Sequence, residues 1–113
     1  MVVSKHNSLR HYQWGNNCDG WNFVDEKNLG VKQEKMPANT QEQLHYHQHA
    51  QQFFFILKGV ATFEIDGVAI TVNENEGIHI QPMSKHKIMN NSNAEMEFIL
   101  TSQPSTANDR YNL

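Results

Sequence analysis

The 113-residue sequence lacks a second cysteine, a basic cluster, an apolar run at its start and any sustained helical periodicity. Each absence excludes something. Cys18 cannot close an internal disulfide, which fits a reducing compartment, and its expected role is that of a small packed side chain. Nine Lys and Arg stand against twelve Asp and Glu, for a formal net charge of -3. The lysines are dispersed singly, so no stripe is left to neutralise phosphates, and nucleic acid is excluded as the expected partner. The opening "MVVSKHNSLRHYQW" carries no signal-peptide core, and no segment approaches the length of a membrane-spanning helix. The expectation is a cytoplasmic protein with no membrane partner.

What is present is globular. Apolar residues make up 38% and charged residues 19%, enough for one hydrophobic core and one domain over residues 1–113. From residue 31 the apolar pattern alternates with period two, which predicts an all-β fold. In "VATFEIDGVAITV" one face collects Ala61, Phe63, Ile65, Val68, Ile70 and Val72, with Asp66-Gly67 as a hairpin turn. "IHIQ", "HKIMN" and "EMEFILTS" predict further strands, the last with Met96, Phe98 and Leu100 inward and Glu95 and Glu97 outward. Seven or eight strands at this spacing predict a barrel or sandwich. "FFFIL" is apolar on both faces, with Phe53, Phe55 and Leu57 in one phase and Phe54 and Ile56 in the other. Either a subunit interface or the N-terminal aromatics Trp14, Trp21 and Phe23 would cover its outer face. "WGNNCDGW" reads as a turn joining two short strands, and "QPSTANDRYNL" as a tail laid over the surface.

Histidine is the conspicuous residue. "LHYHQH" sets His45, His47 and His49 two apart. Alternate residues of a strand share a face at roughly 6.5 Å between Cα atoms, so His45 and His47 can converge on one ion, whereas His49, roughly 13 Å from His45, cannot join them unless the strand breaks. His86 opens "HKIMN" in phase with Ile88 and is expected to face the barrel interior. His79 is out of phase with its apolar neighbours and is expected outward. His6 and His11 carry no positional argument.

Taken together, "HYHQHAQQFFFILKG" and "NEGIHIQPMSKHKIMN" resemble the two motifs of the cupins. The first falls on His45, His47, Gln52 and Gly59, the second on His86 and Asn90, and the paired spacing is more specific than either half. "WGNNCDGW", "AQQFFFILKG" and "SQPSTANDR" are similar to stretches of small single-domain bacterial cupins. The resemblance implies an all-β cupin barrel (double-stranded β-helix, or jelly roll) over about residues 30–102, with an N-terminal extension 1–29 and a C-terminal tail 103–113. It also implies a homodimer and one divalent transition metal ion per chain, held by His45, His47, Gln52 and His86. Four positions depart from the pattern: Gln52 replaces a glutamate, Asn75 and Met83 replace glycines, and Gln81 replaces a proline. Loss of the glycines predicts turns of altered shape.

A neutral ligand set would leave the whole charge on the ion and favour zinc, nickel, copper or iron over magnesium or calcium. The expected partner is a small polar or anionic molecule. The expected activity is that of a metal-dependent isomerase, lyase or dioxygenase, with Glu42 or His49 as the candidate base; the alternative is a cupin that binds metal or a small ligand without turnover.

Overall fold

The computed structural model of the protein describes residues 1–113. After a single 3₁₀ turn at Lys5–Asn7, every regular element is a strand. The order is β1 (Arg10–Trp14), β2 (Cys18–Glu26), β3 (Leu29–Met36), β4 (Thr40–Gln41), β5 (His45–Tyr46) and β6 (Gln51–Lys58). There follow β7 (Ala61–Ile65), β8 (Val68–Val72), β9 (Gly77–Ile80), β10 (His86–Asn90), β11 (Met96–Gln103) and β12 (Tyr111–Asn112). One sheet runs β1-β2-β3-β11-β6-β9 and the other β12-β5-β10-β7-β8, with β4 also on β10. All pairings are antiparallel.

The period-two pattern from residue 31 explains why the two sheets close on each other. Phe54 and Ile56 of β6, Phe63 of β7, Ile88 of β10, and Met96 and Phe98 of β11 all point inward and are buried, as are Cys18 and Met36. The Asp66-Gly67 hairpin forms as expected, both residues having positive φ. Gly59 after β6 is obligatory: its φ is +86°, and a Cβ there would stand 2.9 Å from the Glu95 carbonyl oxygen.

Three expectations are corrected. Val68 and Ile70 are 60% and 37% exposed rather than inward, because β8 is an edge strand whose first residues run past the barrel. The N-terminal aromatics do not cover β6. Strands β1 and β2 join the same sheet edge to edge and leave its outer face at β6 uncovered; Trp14 turns inward against Phe98, and Trp21 stacks on His11. Phe53 and Leu57 accordingly remain 45% and 39% exposed. The third concerns the motif turns. Asn75 and Met83 have φ of 64° and 72°, so these turns keep the left-handed backbone that glycine favours, with side-chain-bearing residues in it.

The large sheet has an inner face that can be read off its register, since directly opposed residues share a face. One row runs Tyr12, Gly20, Glu34, Phe98, Ile56. The next runs Arg10, Asn22, Lys32, Leu100, Phe54. Within the barrel these rows are apolar. On β1, β2 and β3 they become polar, so the N-terminal extension prolongs the barrel wall with a polar shelf.

Candidate metal centre

Three short segments bring the histidines together. His45 on β5 stands directly opposite His86 on β10. His47 follows β5 where the chain leaves the sheet to turn toward β6. All three side chains are buried, with candidate ligand atoms within 4.8 Å of one another. The ring centroids lie 4.3 Å apart for His45 and His86, 5.0 Å for His45 and His47, and 5.4 Å for His47 and His86.

Backbone carbonyls set the tautomers. His45 Nδ1 lies 2.8 Å from the Gln43 oxygen, His86 Nδ1 2.8 Å from the Ser84 oxygen and His47 Nδ1 2.7 Å from the Asp109 oxygen. A carbonyl only accepts, so each Nδ1 must carry the proton and each Nε2 is left with a lone pair. Burial pushes the His45 pKa down to about 3 and that of His86 to about 4, and lowers that of His47; the Arg110 charge works in the same direction on all three. The imidazoles are therefore neutral. His47 Nε2 is buried with no hydrogen-bond partner.

Gln52, on β6, joins them. Its Nε2 donates to Ser102 Oγ at 3.2 Å, which turns Oε1 toward the histidines, 3.1 Å from His86 Nε2. Two acceptors thus face each other in a buried space, a costly contact unless a cation lies between them. The donor set is three neutral nitrogens and one amide oxygen, a set that can hold a transition metal ion.

His45, His47 and Gln52 form one wall of a cavity of about 230 Å³. Its other walls include Tyr12, Lys32, Glu34, Glu42 and Arg110. Glu42 Oε2 accepts from the Ile88 N–H at 3.1 Å and Oε1 lies 3.4 Å from Arg110. Burial raises its pKa to about 7 against the pull of the Arg110 charge. Burial also raises that of Glu34, opposed by the Tyr12 hydroxyl, which donates to it at 2.5 Å. Tyr12 reaches it across Gly20, where a Cβ would fall 2.2 Å from the ring.

The structure therefore brings His45, His47, Gln52 and Glu42 to one cavity, groups His86 with the two histidines and Gln52, and leaves His49 out. His49 is exposed and lines a separate surface groove with Asp109, because the chain turns outward after His47. His79 is outward as expected, bonded to Gln51 at 2.8 Å. Sequence reasoning missed Tyr12, Lys32, Glu34, Asp109 and Arg110. The alternation in "RHYQW" was a usable signal for Tyr12, since it sets Arg10, Tyr12 and Trp14 on one face. The tail gave none. It forms β12 on β5, and its Asp109 carboxylate accepts the backbone N–H groups of Gln48, His49 and Ala50 at 2.9 to 3.0 Å.

Two sheets closed around a histidine-lined cavity define a double-stranded β-helix barrel of the kind cupins share. The chain belongs to that family: the family model described as "Cupin domain" matches residues 32–102. MJ1618 of Methanocaldococcus jannaschii is 29% identical over 79 residues, 66% of this chain and 63% of that protein, so the match spans less than two thirds of that relative's length. Among solved structures, a Thermotoga maritima protein described as a predicted oxalate decarboxylase superposes with a TM-score of 0.82 at 18% identity, over 93% of this chain and 100% of that one. Streptomyces Pac13, described as a nucleoside dehydratase and solved with uridine, gives 0.84 at 13% identity, over 100% and 89%. At these identities the likeness is one of fold. No helix of the protein is long and apolar enough to cross a membrane.

Proposed function

We propose that the protein binds one divalent transition metal ion per chain through His45, His47, His86 and Gln52, and that the site acts on a small polar or anionic molecule entering the cavity. The observation that carries this reading is the donor set: three lone pairs and an amide oxygen converge, buried, with no proton to share among them. Such a set favours zinc, nickel, copper or iron. When bound, the ion supplies Lewis-acid polarisation of a ligand oxygen, the chemistry of an isomerase, a lyase or, with iron, a dioxygenase. The chain's own part is to hold and exclude. Glu42, raised by burial to about 7, is part protonated near neutral pH at the cavity wall, and Arg110 and Lys32 add positive charge there.

Metal analysis of untagged protein tests the reading. Close to one ion per chain is expected, falling to a small fraction in His47→Ala. Equal metal content in the two proteins would refute the assignment. One observation favours a second reading, binding without turnover: both cavity carboxyls already have protein partners, Glu42 through Ile88 and Arg110 and Glu34 through Tyr12. Saturable ligand binding with no product would establish it.

A further inference from the structure

The polar shelf leads to a second chamber. Lys32 and Thr106 line both the histidine cavity and a neighbouring space of about 240 Å³, whose walls also include Arg10, Asn22, Asp25 and Ser105. Arg10, Asn22 and Lys32 stand in one cross-strand row, so their side chains leave the sheet on the same side. Neither Arg10 nor Lys32 has a carboxylate within ion-pair distance; both lie against the Tyr12 ring instead, at 5.7 and 5.6 Å from its centroid. Between them, Asn22 is 7% exposed and its Oδ1 is buried without a hydrogen-bond partner. The buried Asn22 oxygen is unfavourable without a donor, and the two cations beside it carry positive charge that no ion pair takes up. A single ligand carrying an anion and, next to it, a hydroxyl would satisfy all three.

We propose that this chamber is a binding subsite for a hydroxylated small-molecule anion, a phosphate or carboxylate, with the charge held by Arg10 and Lys32 and a hydroxyl donating to Asn22 Oδ1. The anion neutralises the cation pair, and the hydroxyl gives the amide oxygen the donor that the protein withholds. Because Lys32 and Thr106 border both spaces, the far end of such a ligand points toward the histidines. That last feature alone rests on the proposed function. Arg10 and Asn22 lie outside the residues matched by the cupin family, so the subsite is an addition made by β1 and β2.

Calorimetric titration with glycerol 3-phosphate and with inorganic phosphate tests the subsite on the full chain, both as purified and after chelation. Saturable binding of glycerol 3-phosphate is expected in both forms, weakened about tenfold in Arg10→Gln, as fits the loss of one charge-assisted contact. Asn22→Ala should weaken glycerol 3-phosphate and leave inorganic phosphate unaltered. Arg10 is exposed, so its replacement keeps the test valid should the buried Asn22 variant fail to fold. An Arg10→Gln titration indistinguishable from wild type would overturn the proposal, as would binding that disappears on chelation from a chain still folded by its thermal melt, since the anion would then sit on the metal. Should chelation itself unfold the chain, the comparison in the purified form decides. Metal content is measured separately, so failure of the subsite and failure of the metal centre are told apart.

Discussion

The backbone carbonyl of Asp109 accepts the Nδ1 proton of His47 at 2.7 Å, while the carboxylate of the same residue takes up three successive N–H groups just beyond it. One tail residue thus fixes both the tautomer of a candidate ligand and the turn that carries it. Asp109→Ala would leave those donors unpaired, at a cost of about 1–3 kcal/mol. It should also loosen His47 and weaken metal binding roughly tenfold or more, the usual penalty for losing an orienting partner. A thermal melt and a chelator competition read the two effects. Unchanged metal affinity in a folded variant, which keeps the residue 109 carbonyl, would show that the Asp109 carboxylate is not needed to hold His47.

Gln52→Glu should tighten binding of a divalent ion and weaken binding of anionic ligands, because a carboxylate cancels half the ion's charge. Opposite signs are the signature. If metal affinity stays level while the melting temperature falls, Gln52 is only a bonding partner of Ser102 and the site is three histidines.

Met83 sits at φ 72° with its side chain 58% exposed, so it suffers the left-handed penalty and buries little in return. Met83→Gly removes that strain at the expense of a more flexible unfolded chain, for a net gain of about 0.5 kcal/mol or roughly 3 °C. Its N–H donates to the His47 carbonyl at 2.7 Å, and glycine keeps that bond. A lower melting temperature would contradict the account.

Glu34 is buried with its pKa raised by burial above the usual 4.5. A carboxyl raised on folding favours the folded state fully below its unfolded pKa, and that contribution is lost as pH rises through the folded value. Glu34→Gln, which can still accept from Tyr12, should therefore gain on wild type as pH rises from about 4.5 to 8. Parallel melting curves across that range would exclude the effect.

Phe53 and Leu57 on the outer face of β6 have no cover within the chain. A dimer burying that face is expected by light scattering at micromolar concentration, and Phe55→Lys should give monomer or aggregate. A monomeric wild type would leave the face as bare surface.

How much could be read beforehand differs by element. β10, β11 and the Asp66-Gly67 hairpin follow from alternation and turn chemistry, and β6 from its unbroken apolar run. The phase of each central strand followed too, because one face must be buried. Strand β8 did not obey the same rule: alternation says which residues share a face, not whether another layer reaches it. Two-residue strands such as β5 and β12 have no period to detect.

The sequence by itself determined an all-β chain, the inward phase of Phe63 and Phe98, the two phases of the apolar run in β6 and the shared face of His45 and His47, while the cupin resemblance implied that Gln52 and His86 join them. These are local facts of side-chain period, and in the cupin motifs they are backed by spacing. Only the tertiary structure decided that Gln52 directs its oxygen toward His86, that Tyr12 crosses Gly20 to Glu34, and that Asp109 anchors His47 from 62 residues away. The reason is physical: each depends on which segments lie side by side after the sheets close, and a hydrogen bond between distant residues leaves no periodic trace along the chain.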